Sequence, residues 1–195
     1  MPVADPTYNI PLPLRLTTVN VTVLVVNWNR KELLRNCLNS LIAQKLPTGE
    51  RCVEMEIIVI DNSSTDGSQA MVRREFAKVT LIENTFNTGF CAANNQGFAL
   101  ARGEFIALLN NDAEAGPEWL AGLLSAFDGG EEIGMAASKI VSWEDPRRID
   151  KAGHLIYPDG QNGGRGAGEF DRGQFEEIEE ILWPDGCAAM YRKSM

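Results

Sequence analysis

Three polar clusters follow directly after runs of apolar residues in this sequence. They consist of Asn27, Trp28, Asn29 and Arg30; of Asp61, Asn62, Ser63 and Ser64; and of Asn110, Asn111 and Asp112. Carboxylate oxygens suit Mg²⁺ and Mn²⁺, which makes Asp112 a candidate metal ligand. Asp61 can accept hydrogen bonds from a base or a ribose, and Trp28 either packs in the core or offers its flat face to a nucleobase. Because Asn and Asp are common turn residues, each cluster alone could also be a simple connection.

The elements that must position these clusters alternate between strand and helix patterns. Apolar strand-like runs at residues 21–26, 56–60, 79–83 and 105–110 are separated by segments with helical spacing, and residues 133–141 read as a further strand. This alternation predicts an α/β fold with a mostly parallel central sheet and helices on both faces. In such sheets ligands bind outside the carboxyl ends of the strands, so the three clusters should meet at one edge.

The chain divides into three parts by composition. Residues 1–20 form a proline-limited, extended lead-in, residues 21–141 carry the alternating pattern, and residues 142–195 are rich in Gly, Asp and Arg. Within the last part, the run from Gly163 to Gly168 reads as a flexible loop. The segment around Ala188 reads as a returning strand. The last part is therefore either mobile or part of a substrate surface.

Charge and composition narrow the classes of partner. The 195 residues carry 18 Lys and Arg against 27 Asp and Glu, a net charge of −9. Such a field repels nucleic acid, so a phosphorylated ligand would need a local cation, for example a divalent metal held by carboxylate. Four scattered cysteines, no secretory signal and no apolar run near the roughly 20 residues that span a bilayer favour a cytoplasmic protein with free thiols.

Several common site signatures are missing. The first strand is followed by the letters NWNRKELL rather than GxGxxG, and no GxxxxGK[ST] occurs, so an NAD-dependent oxidoreductase or a P-loop NTPase is disfavoured. The only histidine, His154, forms no evident catalytic arrangement with a serine or cysteine. An isolated histidine is more often neither base nor ligand.

Four motifs in order carry a resemblance to a known family. They are VTVLVVNWNR, EIIVIDNSSTDGS, NTGFCAANNQGFALARGEFIALLNNDAE and DGCAAMYRKSM. Together they resemble the N-terminal part of a family 2 glycosyltransferase with the Rossmann-like GT-A fold, most closely the bacterial rhamnosyltransferase-like group. The resemblance covers residues 22–195.

The resemblance implies roles for particular residues, all of them positions of the nucleotide-sugar cleft. Those implied to hold the base are Asn27, Trp28, Asn29 and Asp61, with Asn62 beside them; those lining the nucleotide side are Asn87, Gly89, Asn94, Asn95 and Gly97. Many relatives carry Arg where this chain has Asn94, so one diphosphate-binding cation is missing. The family's DxD metal motif corresponds to Asn110, Asn111 and Asp112, which leaves Asp112 as the metal carboxylate. Asp185 and Gly186 fall in the acceptor-side segment.

The implied reaction is metal-assisted transfer, with inversion, from a nucleoside-diphosphate sugar to a saccharide or lipid-linked saccharide. The donor would be linked to UDP or dTDP, with dTDP-rhamnose as one candidate, and the full-length protein could associate with the inner face of the membrane. The family's general base lies in a Glu-Asp pair beyond the segment that ends at Met195, so we expect a C-terminally truncated chain that lacks this base. The alternative is a non-catalytic module that binds nucleotide sugar or carbohydrate.

Overall fold

The computed structural model describes residues 17–48 and 51–195. The strands and helices that build its central layer are β1 (Thr17–Asn27), α1 (Lys31–Ile42), β2 (Arg51–Asp61), α2 (Ser68–Glu75), β3 (Thr80–Glu83), α3 (Phe90–Leu100), β4 (Phe105–Leu109), α4 (Trp119–Ala126), β5 (Met135–Ala137) and β10 (Ala188–Arg192). Between β5 and β10 lie four short strands: β6 (Ile140–Val141), β7 (Ile149–Lys151), β8 (His154–Ile156) and β9 (Asn162–Gly164). The alternation predicted from sequence is confirmed.

The central sheet has six strands in the order β3-β2-β1-β4-β10-β5. Strands β1 to β4 run parallel to one another, with Asn27 opposite Asp61 at the carboxyl ends of β1 and β2. β10 is antiparallel to both β4 and β5, and its first residue, Ala188, pairs with Leu109. The segment that leads into β10 therefore arrives at the same edge as the ends of β1, β2 and β4.

Alternate side chains of each strand enter two different apolar layers. Val21, Val23 and Val25 of β1 join the larger core under α1, α2 and α4, while Leu24 joins the smaller core under α3. A strand buried on both sides requires apolar residues at nearly every position, which is why these runs are continuous rather than alternating. Helices on both faces of a mostly parallel sheet confirm the predicted fold class.

The boundaries differ from the sequence predictions in three places. β1 already begins at Thr17, so residues 17–20 of the predicted lead-in belong to the sheet, and residues 1–16 lie outside the described residues. The single strand predicted over residues 133–141 is two strands, β5 and β6, in different sheets. Part of the predicted flexible loop is ordered, because β9 pairs with β8 through Gly163 and Gly164.

No helix of the described chain combines the length and apolar character needed to cross a membrane. All four cysteines are unpaired in the structure.

Candidate functional site

The three polar clusters meet through the side chain of Asn27, which is completely buried at the end of β1. Its Nδ2 donates to Oδ2 of Asp61 at 2.8 Å and to Oγ of Ser64 at 3.2 Å. Its Oδ1 accepts a hydrogen bond from Nδ2 of Asn111 at 2.8 Å. One amide thus joins the loops after β1, β2 and β4, and the convergence predicted from topology is confirmed.

Asp61 lies within this network rather than on the surface, with 1% of its area exposed. Its Oδ1 accepts hydrogen bonds from the backbone N–H of Ser64 at 2.8 Å and from Nε2 of Gln69 at 2.7 Å, in addition to the bond from Asn27 to Oδ2. A carboxylate has about four acceptor positions, so a ligand finds at most one of them unused. Asp61 primarily fixes the shape of the site.

Trp28 and Asn29 form the outer rim of the loop after β1. Trp28 is 54% exposed, which excludes the core packing that the sequence left open. Asn29 adopts a positive φ of 52°, and its Oδ1 accepts a hydrogen bond from the N–H of Thr65 at 2.7 Å. Asn29 therefore ties two loops together and leaves the neighbouring indole of Trp28 open to solvent.

Asn62 contacts the loop between β3 and α3. It is 2% exposed, and its Oδ1 accepts hydrogen bonds from Nδ2 of Asn84 at 2.8 Å and Oγ1 of Thr88 at 3.0 Å. Its own Nδ2 donates to the carbonyl of Gly89 at 3.4 Å. The side chain holds residues 84–89 in place, and its polar atoms are already engaged.

The loop before α3 is shaped by Asn87 and Gly89. Oδ1 of Asn87 accepts a hydrogen bond from the N–H of Gly89 at 2.9 Å, and Gly89 has a φ of 82°, a conformation that favours glycine. Asn95 is exposed on α3, whereas Asn94 is 7% exposed and donates to the carbonyl of Phe90 at 3.0 Å. Of these residues, Asn87 and Asn95 present side chains to solvent.

Gly97 has a packing role rather than a place in the cleft lining. It is buried in α3, and a Cβ built there would lie 2.8 Å from Cδ1 of Leu24 and 3.0 Å from Cδ1 of Ile60. The absence of a side chain lets α3 approach the sheet closely.

Asp112 differs from the other acidic residue of the site, because its carboxylate is exposed and has no hydrogen-bond or ion-pair partner among the described residues. Asn110 and Asn111, half-buried beside it, add amide oxygens. No group of three or more His, Cys, Asp or Glu in the described ranges could hold a metal ion. The donor set fits a cation that arrives with a diphosphate, since Mg²⁺ is usually held by one or two carboxylates, phosphate oxygens and water.

The buried thiol of Cys37 and the half-buried thiol of Cys187 both lie in the negative field of Asp112. Burial, and then the negative charge of Asp112, raises the pKa of Cys37 to about 12. Burial, followed by the charges of Asp185 and Asp112, raises the pKa of Cys187 to about 11. A negative potential at this edge favours a cation over a bare anion.

Asp185 reaches the same edge from the segment before β10. The N–H of Asn110 donates to the carbonyl of Cys187 at 2.8 Å, and the N–H of Cys187 donates to Oδ1 of Asp185 at 2.8 Å. Nζ of Lys151 lies 3.2 Å from Oδ2 of Asp185. Desolvation opposes ionisation of Asp185, but hydrogen bonds from Cys187, His154 and Lys151 outweigh it and lower the pKa. Gly186 follows in a half-exposed turn.

The sequence suggested that His154 is isolated, but the structure gives it three partners. Its Nε2 lies 3.0 Å from Oδ2 of Asp185, its Nδ1 lies 3.1 Å from Oδ1 of Asn162, and its ring stacks on Trp183 at 5.8 Å. With both nitrogens engaged, His154 holds the Asp185 segment in position.

Sequence reasoning missed two features of the site. The first is Gln69, which donates to Asp61 from the first turn of α2. A single glutamine in a helix carries no distinctive signal. The second is a cavity of about 170 Å³ that is lined by Asp112 and also by Trp143, which lies much later in the sequence. An exposed tryptophan in a polar segment was the one signal that could have pointed to it.

The chain is similar to known proteins in both sequence and fold. The family model of glycosyl transferase family 2 matches residues 22–195, so this chain belongs to that family. The poly(ribitol-phosphate) beta-glucosyltransferase of Bacillus spizizenii is 30% identical over 106 residues, which is 52% of this chain and 16% of that protein.

Two solved structures share the fold. The mannosyltransferase PcManGT from Pyrobaculum calidifontis, in complex with GDP-Man and Mn²⁺, matches with a TM-score of 0.56 and 26% identity, over 66% of this chain and 37% of that chain. S. aureus TarS 1-349 matches with a TM-score of 0.62 over 90% of this chain and 47% of that one, at 21% identity, which shows the fold alone. The chain spans less than half the length of each of these proteins.

Proposed function

We propose that this chain forms the donor-binding part of an enzyme that transfers a sugar from a nucleoside-diphosphate sugar to a saccharide or lipid-linked saccharide, with inversion. The observation that carries the proposal is the hydrogen-bonded chain Asp61–Asn27–Asn111, which joins the loop of the exposed Trp28 to the loop of the unpaired Asp112. The relative named poly(ribitol-phosphate) beta-glucosyltransferase supports transfer of a sugar to a hydroxyl group of a polymeric acceptor.

The chemistry divides between binding and bond exchange. A base removes the proton of an acceptor hydroxyl, the oxygen attacks the anomeric carbon, and the bond from that carbon to the diphosphate breaks. The nucleoside diphosphate leaves with the bonding electron pair. A divalent cation supplies Lewis-acid stabilisation of the charge that develops there. General-base assistance contributes typically about 10²- to 10⁴-fold.

The residues of this chain have separate roles in that scheme. Trp28 stacks on the nucleobase, and the network around Asn27 and Asp61 keeps its loop in place. Asp112, with Asn111 beside it, holds the cation, in line with the Mn²⁺ in the GDP-Man complex of PcManGT. Asp185 lies on the acceptor side. A rhamnosyl donor and a Glu-Asp general base stay predictions.

A thermal-shift titration tests the proposal. UDP, dTDP or GDP at about 100 times its Kd in the presence of Mn²⁺ should stabilise the folded protein by about 2.7 kcal/mol through ligand linkage. Asp112→Ala should remove the metal-dependent part of this shift and leave the unliganded melting temperature within about 1 °C, because Asp112 is exposed and unpaired.

Glu131→Ala is the matched control, since Glu131 is an exposed carboxylate away from the site. If no nucleoside diphosphate shifts the melting temperature with or without Mn²⁺, the proposed function is wrong. An unchanged shift in Asp112→Ala would reject the metal assignment only. Release of nucleoside diphosphate from a nucleotide sugar in the presence of acceptor distinguishes an enzyme from a binding module.

A further inference from the structure

The cavity beside Asp112 has walls from three separate parts of the chain. Arg30 directly precedes α1, and Leu33 and Asn36 lie in its first half. Glu114 follows Asp112 after β4, and Trp143 comes from the loop after β6. Its volume of about 170 Å³ is below the roughly 300–1,000 Å³ of pockets that enclose drug-sized ligands. The space suits one sugar ring better than a whole nucleotide.

Trp143 is the largest apolar surface of this cavity. Its side chain is 70% exposed and has no hydrogen bond or ring contact within the described part of the chain. The backbone of the loop that carries Trp143 is nevertheless fixed by two hydrogen bonds. The N–H of Ser142 donates to the carbonyl of Arg148, and the N–H of Arg148 donates to the carbonyl of Asp145, both at 2.8 Å. The fold therefore presents an uncovered indole at a fixed place.

The other walls supply the groups that a ring of hydroxyls requires. Arg30 and Asn36 can donate hydrogen bonds, and Glu114 can accept them. Leu33 adds a second apolar surface. A pyranose has a face of C–H groups and a rim of hydroxyls, so it can cover the indole while its hydroxyls bond at the edges.

The position of the cavity next to Asp112 indicates that its occupant is the sugar ring of the donor. In a nucleotide sugar, one oxygen separates the anomeric carbon from the terminal phosphate. If Asp112 holds the cation that neutralises the diphosphate, the donor's ring lies next to Asp112. The cavity begins at that residue.

We infer that Trp143 is a specificity-determining residue that stacks on the pyranose ring of the donor, with Arg30, Asn36 and Glu114 reading its hydroxyls. This inference rests on the proposed function and adds to it the sugar subsite.

Paired binding measurements on the full-length protein test the inference. Isothermal titration with Mn²⁺ compares UDP with UDP-glucose, dTDP with dTDP-rhamnose and GDP with GDP-mannose. For the pair that binds the wild type, Trp143→Ala should weaken the nucleotide sugar about five- to tenfold, because stacking is worth about 1 kcal/mol or slightly more. The sugar-free diphosphate should keep its affinity within about twofold.

Two further variants guard against a folding defect or a nonspecific effect. Trp143→Phe keeps an aromatic face and should recover part of the lost affinity, whereas Asn36→Ala, exposed on α1, should also weaken only the nucleotide sugar. Tyr157→Ala, an exposed aromatic outside the cavity, should change neither ligand.

The outcomes separate the two claims. If no diphosphate binds the wild type, the proposed function fails and the inference falls with it. If the diphosphate binds but Trp143→Ala weakens both ligands equally, or neither, the inference alone is overturned. Weaker binding of a free acceptor saccharide, with unchanged nucleotide-sugar affinity, would also overturn it.

Discussion

Asn27 can join three loops because its side chain both donates and accepts hydrogen bonds. Its amide donates from one atom and accepts at another, so it can bond to a carboxylate and to a second amide at once. An aspartate at this position would face Asp61 with a second negative charge, and a leucine would leave Oδ2 of Asp61 and Nδ2 of Asn111 without a partner. The buried network is fully satisfied, since no buried side-chain polar atom of the described residues lacks a hydrogen bond.

Asn27→Ala is expected to destabilise the protein by about 2–3 kcal/mol, because the buried carboxylate of Asp61 and the half-buried amide of Asn111 each lose a partner. The loops would also separate, so the affinity for nucleoside diphosphate should fall. Urea denaturation and isothermal titration measure the two effects.

Asn39→Ala is the control, because Asn39 is exposed on α1 and its replacement should cost less than about 0.5 kcal/mol. Equal stability of the two variants would show that the network around Asn27 contributes nothing to holding the loops.

The helices differ in how closely they approach the sheet. α3 packs on β1 and β2 through Gly97, which has no side chain and contacts Leu24 and Ile60, both at most 1% exposed. This close contact positions the N-terminus of α3 and the loop before it at the edge of the site. In α4, by contrast, Gly122 has nothing within 4 Å of a built Cβ.

The same substitution should therefore have opposite effects in the two helices. Gly97→Ala is expected to destabilise by about 1–2 kcal/mol, since the new methyl overpacks a filled core. Gly122→Ala is expected to stabilise by about 0.5–1 kcal/mol, because alanine restricts the unfolded chain and favours the helix. Denaturant midpoints measure both, and a stabilised Gly97→Ala would contradict the close packing described here.

Acidic residues outnumber basic residues in this protein. Several carboxyl groups have a lowered pKa, because hydrogen bonds and nearby cations stabilise their ionised form. The best-defined case links α1 to α2, where Nε of Arg35 donates to Oε2 of Glu75 at 2.7 Å. Hydrogen bonds from Arg35 and then Arg74 lower the pKa of Glu75 from 4.5 to about 2. Glu56, Asp66, Asp145, Asp171 and Asp185 also have lowered pKa values.

A lowered folded-state pKa stabilises the protein above the unfolded-state pKa, and this stabilisation is lost as the pH falls through the folded-state value. For Glu75 the loss should extend from about pH 4.5 down to about pH 2. Glu75→Gln should lower the melting temperature at neutral pH, and the difference from wild type should shrink across that interval.

Glu180→Gln is the matched control, because Glu180 is exposed and has no ion pair among the described residues. A difference between Glu75→Gln and wild type that stays constant from pH 7 to about pH 2 would exclude the pair with Arg35 as its source.

The sequence by itself determined the architecture and the edge at which the site lies. Apolar runs such as that of β1 indicate strands buried on both sides. Because parallel strands bring their carboxyl ends to one edge, Asn27, Asp61 and Asn111 were expected to lie near one another. The exposure of Trp28 was left open, because an indole suits a core as well as a surface.

Only the tertiary structure decided which of these side chains remain available. Asp61 and Asn62 are hydrogen-bonded within the protein, whereas Asp112 is unpaired among the described residues. β10 lies between β4 and β5, and Trp143 lines the same cavity as Asp112. The physical reason is that hydrogen-bond saturation and cavity walls depend on contacts between residues far apart in the chain. Local patterns of residue type predict the elements, but they carry no information on those distances.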